Sequence, residues 1–442
     1  MQFKASGVNA YSNGEKNFKG ENMLKNKFIL GVMCFFLTLS GCSTADNHKV
    51  DQNKNESSTI GNKQNNQQTS KSNSASSTPN GEQPYSSKTS MSDDSTSSTP
   101  VPAKDQTGAK VDNPDMRYVT AVRLADFKTG WVGGNGWIAK TTSQGKNWVV
   151  VYRGNGLVKQ IFALNHLDVW ATLSQDEKTS KLLHSSDGGR HWGFIGTMPN
   201  HSFFHFITKT TVLSGNYVSH DGGKTWSSLP MPKNTIGDSY FHDEKNGWVI
   251  TQNNNDFQVN RTIDGGLAWK TVMTKNQVSP LNGANIRSAG VNDAWIELIG
   301  DSGMTQTSYS LFHTSDGGQT WKTVIANSTA GGGPAPGFSS ENNNGPNNKG
   351  SNPGPLYVVS PQTAFMGGVC PACDQQNSIG WTKDAGKTWV NSNITLAGSG
   401  DSFIALSDPN HGWWITTEYE KRSSLYITSD GGYHWKQVYE FH

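Results

Sequence analysis

Six aspartates occupy one repeated setting: Asp187, Asp221, Asp264, Asp316, Asp384 and Asp430 each follow a Ser or Thr by two residues and precede a Trp by five. Carboxylates do acid–base work in hydrolases, where a pair about 5–10 Å apart cleaves a glycosidic bond. Such a site needs one or two unique acids. Six equivalent ones mark a device repeated along the chain, and their chemistry is that of a turn. The carboxylate accepts main-chain N–H groups, and the second Gly of the Gly-Gly that usually follows supplies a positive φ that a side chain resists. The accompanying Trp148, Trp192, Trp226, Trp269, Trp321, Trp389 and Trp435 recur in step and read as core residues.

The cysteines offer a second chemistry. Apart from Cys34 and Cys42 near the N-terminus, the chain has Cys370 and Cys373 in Gly368-Val369-Cys370-Pro371-Ala372-Cys373. This spacing suits a redox dithiol, half of a zinc site or a short disulfide. Zinc would need further ligands, and the sequence has no second pair of this kind. A redox dithiol usually carries its reactive Cys at a helix N-terminus, which a β-hairpin does not provide. The foremost expectation is a Cys370–Cys373 disulfide in an oxidising compartment, with the reactive dithiol as the alternative. Neither a metal nor a cofactor is expected.

The elements that position these groups follow from the repeat. Seven copies of S/T-x-D-x-G-x-x-W end at the Trp residues above, the first with Ser143 in place of Asp, and successive Trp separations are 44, 34, 43, 52, 68 and 46 residues. A short β-rich run precedes each copy, as at residues 137–141, 311–314 and 425–428. About ten residues earlier comes another run opened by an aromatic: Gly130-Trp131, Val169-Trp170, Gly247-Trp248, Ala294-Trp295, Ala364-Phe365 and Gly412-Trp413. Four strands per repeat and seven repeats predict an all-β, seven-bladed β-propeller of four-stranded antiparallel blades. In Gly412-Trp413-Trp414, alternation sends the two rings to opposite faces. Packing between blades is the expectation for Trp414, with a ligand platform as the alternative.

These strings resemble the Asp box of sialidase-like propellers. Their longer consensus, a turn, G-W, a second strand and then T-x-D-G-G-x-x-W, is similar to the repeats of the photosystem II stability and assembly-factor family. The resemblance covers residues 117–442 and implies the propeller fold. It transfers no binding residue, because the matched positions are structural and the third repeat, 34 residues long, lacks the G-W element. Sialidase chemistry would need three converging arginines, a Tyr nucleophile with a Glu and an F-R-I-P-like segment; the chain has no such segment.

Composition sets the domain limits. Hydrophobic residues make up 33% of the 442 residues, below the roughly 45–50% of globular chains. The deficit lies in residues 43–115, where 38 of 73 are Ser, Thr, Asn or Gln and 10 are apolar. Too little can be buried there to offset backbone ordering, so a disordered tether is expected. Upstream, Lys25 and Lys27, an apolar run over 28–39 and Leu39-Ser40-Gly41-Cys42 have the form of a secretory signal, with translation starting at Met23. The last four residues resemble the bacterial lipobox. The expectation is a leader over 1–42 with its signal peptide at 23–41, a lipid on Cys42, and a protein held to the cell membrane on its extracytoplasmic side; ordinary secretion is the alternative.

Residues 116–442 carry 25 basic and 24 acidic groups, which argues against nucleic-acid binding by phosphate neutralisation. With the Asp boxes between third and fourth strands, the connections between second and third strands fall on the opposite face. These are irregular and polar, and irregular loops on a regular scaffold are the better functional candidates. Asp256, Asp301, Glu418, Glu420 and Arg422 are the partner-binding candidates there. Residues 326–354, rich in Gly, Asn, Pro and Ser, are expected to be a disordered insertion. Taken together, the sequence predicts a monomeric, non-enzymatic scaffold that binds an envelope or secreted protein, with a glycan-binding or glycoside-hydrolysing propeller as the alternative.

Overall fold

A computed structural model of the chain describes residues 114–442 apart from 177–178, 340–344, 375, 399–400 and 419–420. The expected leader, Cys42, Glu420 and all of the tether but its last two residues therefore lie outside the described residues. Twenty-seven strands and no helix are found among the described ones.

The strands run in sequence order. The first sheet contains β1 (Ala121–Leu124), β2 (Gly130–Thr141), β3 (Val149–Ala163), β4 (Val169–Ser174), β5 (Ser180–Ser185) and β6 (Gly193–Thr197). The second contains β7 (Phe204–Phe206), β8 (Val212–Ser214), β9 (Tyr217–Ser219) and β10 (Ser227–Ser228). The third is β11 (Thr235–Phe241), β12 (Gly247–Gln252), β13 (Asp256–Thr262) and β14 (Lys270–Asn276). The fourth is β15 (Gly283–Arg287), β16 (Ala294–Ser302), β17 (Thr307–Thr314) and β18 (Lys322–Asn327). The fifth is β19 (Asn352–Ser360), β20 (Thr363–Cys370), β21 (Gln376–Thr382) and β22 (Val390–Asn391), with β23 (Leu396–Ala397) added on β21. The last is β24 (Ser402–Leu406), β25 (Gly412–Thr417), β26 (Ser423–Thr428) and β27 (Lys436–Glu440). All pairings are antiparallel, and the molecule is a β-propeller.

Hydrogen bonding gives six sheets where the sequence predicts seven blades, and β3 is the reason. Its first half pairs with β2, as in Lys140↔Val149 and Trp137↔Arg153, and its second half with β4, as in Phe162↔Trp170. This 15-residue strand runs from one repeat into the next through Gly154-Asn155-Gly156, with Gly156 at φ 113°. The first two repeats thereby share one six-stranded sheet, and seven Asp-box repeats are carried by six sheets.

Side chains from neighbouring sheets fill the gaps between them. Trp248, Val259 and Ile286, Ile296 join the third sheet to the fourth, and Tyr309, Leu311 and Leu356, Met366 join the fourth to the fifth. The ring closes in the same way: Phe403, Trp413 and Leu425 of the last sheet pack with Val122, Leu124 and Trp137 of the first. Each such fully buried side chain contributes about 1.5–3 kcal/mol. The start of the domain adds main-chain bonds at this seam, with Met116 N donating to His442 O (3.3 Å) and Ser423 N to Arg117 O (2.7 Å).

Two sequence expectations change. The Asp-box tryptophans are half-buried, while the fully buried positions belong to Trp131, Trp137, Trp170, Trp248, Trp295, Trp381, Trp413 and Trp414. The box rings instead cover the edges of the cores between sheets, as Trp321 does for the third and fourth. Trp414 is 0% exposed and donates to Ser402 Oγ (2.9 Å), so its ring is a packing element and not a ligand platform.

The expected disorder of residues 326–354 is the second correction. Asn327 begins the segment inside the core, donating from Nδ2 to Tyr309 Oη (2.8 Å) and accepting Asn348 N at its Oδ1 (2.8 Å). Asn348 Nδ2 reaches Gly367 O (2.9 Å), Ser310 Oγ donates to Pro336 O (2.7 Å), and Lys349 Nζ donates to Ser392 O (2.7 Å). The described part of the insertion is a strap fastened across the fourth and fifth sheets. Amide groups hold it where apolar side chains are scarce.

Candidate functional site: the rim opposite the Asp boxes

Each box aspartate is engaged by its own turn. Asp316 Oδ1 accepts Thr314 Oγ1–H (2.8 Å) and the Thr320 amide (2.9 Å), and its Oδ2 accepts the Thr320 hydroxyl (2.6 Å). The Thr320 hydroxyl and amide, together with Thr314, hold its carboxyl down to about 2. Asp384 repeats the arrangement with Thr382 and Thr388, and Asp221 with Ser219 and Thr225. Asp187 and Asp430 bind the amide and ring of His191 and His434, respectively. At Asp430 burial opposes ionisation, but the His434 amide and ring and the Thr428 hydroxyl bring the carboxyl to about 2. Asp264 takes the Thr262 hydroxyl and the Ala268 amide. In the first box Ser143 Oγ stands in, accepting Asn147 N at 3.0 Å.

A further bond recurs in all seven boxes. The amide following the Asp position donates to a carbonyl in the loop between the first two strands of its repeat: Gly188 to Leu167, Gly222 to Thr210, Gly265 to Lys245, Gly317 to Asn292, Gly431 to Asn410, and likewise Gln144 to Lys128 and Ala385 to Gln362. These donors sit at positive φ, Gln144 and Ala385 included at 60° and 62°. Both residues after the acid therefore take the left-handed conformation, where sequence reasoning assigned it to the second alone. The boxes form one face.

The opposite rim gathers the candidates. Asp256 and Asn253 close the hairpin between β12 and β13, with Asn253 Nδ2 donating to Asp256 Oδ1 (3.2 Å). Asp301 stands exposed near the end of β16, its Oδ1 taking the Ser302 amide (2.8 Å). Glu418 pairs with Lys421, and exposed Arg422 with Glu440 at 3.3 Å. Glu418 and Arg422 share one hairpin, while Asp256 and Asp301 occupy hairpins of successive sheets. Cys370 and Cys373 are disulfide-bonded at the tip between β20 and β21. Among the described residues, no group of three or more His, Cys, Asp and Glu is arranged to hold a metal.

The strap builds a feature the sequence did not announce. Phe338 stacks on Phe312 with ring centres 6.0 Å apart, and Lys275 Nζ lies 5.3 Å from each ring. Beside them a shallow groove of about 390 Å³ is lined by Lys275, Asn276, Gln277, Val278, Gly337, Phe338 and Ser339. A narrower pocket extends it past Asp301, Pro334 and Pro336. Val278 is 65% exposed beside it, and Met304 is fully exposed at the neighbouring tip. A second cleft of about 330 Å³, between β3 and the β4–β6 strands, is lined by Tyr152, Asn155, Leu173, Gln175, Lys181, Leu183 and Phe194.

Sequence reasoning also passed over the innermost strands. Arg123 on β1 and Arg287 on β15 are buried, with their guanidinium groups 4.6 Å from the Phe162 ring and 4.3 Å from the Phe203 ring. His205 stacks on Tyr240 at 5.1 Å. Burial, with the charges of His242, Arg287 and Arg123, holds His205 neutral at about 3, and burial lifts Tyr240 to about 12. In the fourth sheet Glu297 is 1% exposed, and burial pushes its carboxyl up to about 7.

A model of the BNR/Asp-box repeat matches residues 217–228. No curated protein matches the chain. Among solved structures, YCF48 bound to D1 peptide is similar over 72% of this chain and 94% of its own, at 14% identity and a TM-score of 0.43. The GH74 xyloglucanase from Xanthomonas campestris is similar over 72% of this chain and 53% of its own, at 13% identity and a TM-score of 0.48. A prolyl endopeptidase structure follows at 11% identity and 0.43, over 74% of this chain and 50% of its own. This chain thus spans about half the length of the last two.

Proposed function

We propose that this chain is a non-enzymatic scaffold, held to the extracytoplasmic side of the cell membrane through Cys42, whose propeller binds another protein through the rim opposite the Asp boxes. The division between the two faces carries the reading. On one face the repeated acids are saturated by their own turns, which leaves them no acid–base work. On the other lie irregular hairpins and a partly apolar groove walled by Phe338, with Lys275 and Asp301 at its margins. An apolar floor with a polar rim is the usual anatomy of a protein-binding surface.

Crosslinking on intact cells followed by capture tests it. A Val278→Lys, Asp301→Ala double variant changes exposed residues, so stability should stay within about 0.5 kcal/mol of wild type, while partner capture should fall about tenfold, equivalent to 1.4 kcal/mol. Leu267, 81% exposed on the Asp-box face, is the control. Capture lost with Leu267→Ser and kept in the double variant would place the binding face on the wrong side.

The aromatic-lined cleft at Tyr152 and Phe194 favours a second reading, binding of an envelope glycan, since aromatic faces with amide and ammonium groups suit a sugar ring. Retention on an immobilised cell-wall polysaccharide that Phe194→Ala abolishes, with protein capture unchanged, would select it. The anchor rests on the Leu39-Ser40-Gly41-Cys42 string. Cys42→Ser should release the protein into the soluble fraction, and unchanged membrane retention would refute the anchor.

A further inference from the structure

We infer that Cys370–Cys373 is an exchangeable disulfide that accepts electrons from a thiol donor, a redox function independent of the scaffold reading. Three observations lead there. The bond joins residues three apart with Cα atoms 5.1 Å from each other, so it closes a very short loop and removes little entropy from the unfolded chain. The hairpin below it needs no crosslink. Cys370↔Gln376, Val369↔Asn377 and Gly368↔Ser378 are paired, Ser378 Oγ donates to Lys349 O (2.6 Å), and Asn377 Nδ2 donates to Gly398 O (3.0 Å). Finally, Ala372, Cys373 and Asp374 are exposed at the tip, and Cys370 is half-buried. Exposed disulfides that stabilise little are the ones that exchange, because the incoming thiolate can reach a sulfur and the fold does not hold the bond shut.

The accessible sulfur sets the order of events. A donor thiolate attacks Cys373 Sγ, a bond forms between the donor sulfur and Cys373, and the Cys370–Cys373 bond breaks with Cys370 leaving as thiolate. The donor's second thiolate then attacks its own sulfur in the mixed disulfide and releases Cys373. The donor dithiol is oxidised to a disulfide, the cystine is reduced to two thiols by two electrons, and two protons from solvent complete them. With a monothiol donor, a second molecule takes the second step.

The full chain, purified oxidised, should be incubated without denaturant with either reduced glutathione or a reduced protein bearing its own Cys-x-x-Cys, then alkylated and weighed. Two alkyl groups per folded molecule are expected beyond those taken up by an unreduced control, which accounts for Cys34 and Cys42, with a melting temperature lowered by less than about 4 °C. Reduction by the protein donor alone identifies a protein dithiol as the source; reduction by both identifies thiols in general. Cys370→Ser, which retains Cys373, should form the mixed disulfide with oxidised glutathione about tenfold faster than Cys373→Ser. Cysteines that stay unmodified under both donors until the protein unfolds would overturn the proposal and make the bond structural.

Discussion

At pH 8, Glu297→Gln should be more stable than the wild type by on the order of 2–3 kcal/mol, and the advantage should shrink to less than about 1 kcal/mol by pH 5. Glu297 lies mid-strand in β16, between Ile296 and Leu298, and faces the seam to the fifth sheet near Tyr309 and Leu311. Asn285, its register partner on β15, donates from Nδ2 to Oε2 at 2.8 Å, while Oε1 has no hydrogen-bond partner among the described residues. Burial raises the carboxyl to about 7, only partly opposed by the Asn285 bond and the Arg287 charge. The folded state therefore binds a proton that the unfolded chain, titrating at 4.5, releases earlier. Stability from this group is complete below about pH 4.5 and is lost as pH rises through about 7. Glutamine keeps an oxygen for Asn285 and has nothing to ionise. Chemical denaturation at pH 5 and pH 8 checks the difference. A variant less stable than wild type at pH 8 would mean that Glu297 is ionised and stabilised by Arg287.

The propeller was legible because its signal is redundant: a turn written seven times, with Gly and Trp at fixed offsets, survives the loss of the acid at Ser143 and of the G-W element in the third repeat. Sheet number was not legible, because Gly154-Asn155-Gly156 reads as a break, yet ladder pairing resumes at Leu157 with both neighbours. Composition misjudged the strap for a physical reason. Apolar content measures burial, and this segment is ordered by Asn327, Asn348 and Lys349, residues that composition counts toward disorder. The box tryptophans were assigned to the core through their recurrence, but recurrence reports a repeated environment and not its depth. A better signal lay one position before four of the seven boxes. Lys140, His184, Arg261 and His313 lie over Trp131, Trp170, Trp248 and Trp295 at 5.0, 4.4, 5.2 and 3.8 Å. Three of them also reach the next box, Lys140 to Gly188 O, Arg261 to Gly317 O and His313 to Ala385 O. Glu297 could have been found too, since a single acid inside the run Ala294-Trp295-Ile296-Glu297-Leu298-Ile299 must be buried with its neighbours. The rim candidates were legible as loops. The groove beside them was not, because Phe338 reaches Phe312 only after the strap has folded across the sheet.

Asp316→Ala should cost about 1–2 kcal/mol, the range for removing an acceptor that caps several donors in a turn. The carboxylate serves the Thr314 hydroxyl and both the amide and hydroxyl of Thr320. Thr320 is exposed, so water recovers part of the loss, which keeps the cost below that of a fully buried donor. Two bonds of the same turn survive the substitution, Gly318 N to Thr314 Oγ1 (2.9 Å) and Gly317 N to Asn292 O (2.8 Å). The turn should therefore loosen without unfolding. Its pH dependence opposes that of Glu297. Asp316 titrates at about 2 in the folded protein against 3.8 as the ordinary value, so its contribution is present above about pH 4 and is lost as pH falls through about 2. Wild type and Asp316→Ala should differ at pH 6 and converge toward pH 2, and Asp316→Asn, which keeps an acceptor oxygen, should lie between them at pH 6. Equal melting of wild type and Asp316→Ala at pH 6, together with loss of a measurable activity, would make the acid a catalytic group and would remove the main support for a scaffold whose repeated carboxylates are saturated by their own turns.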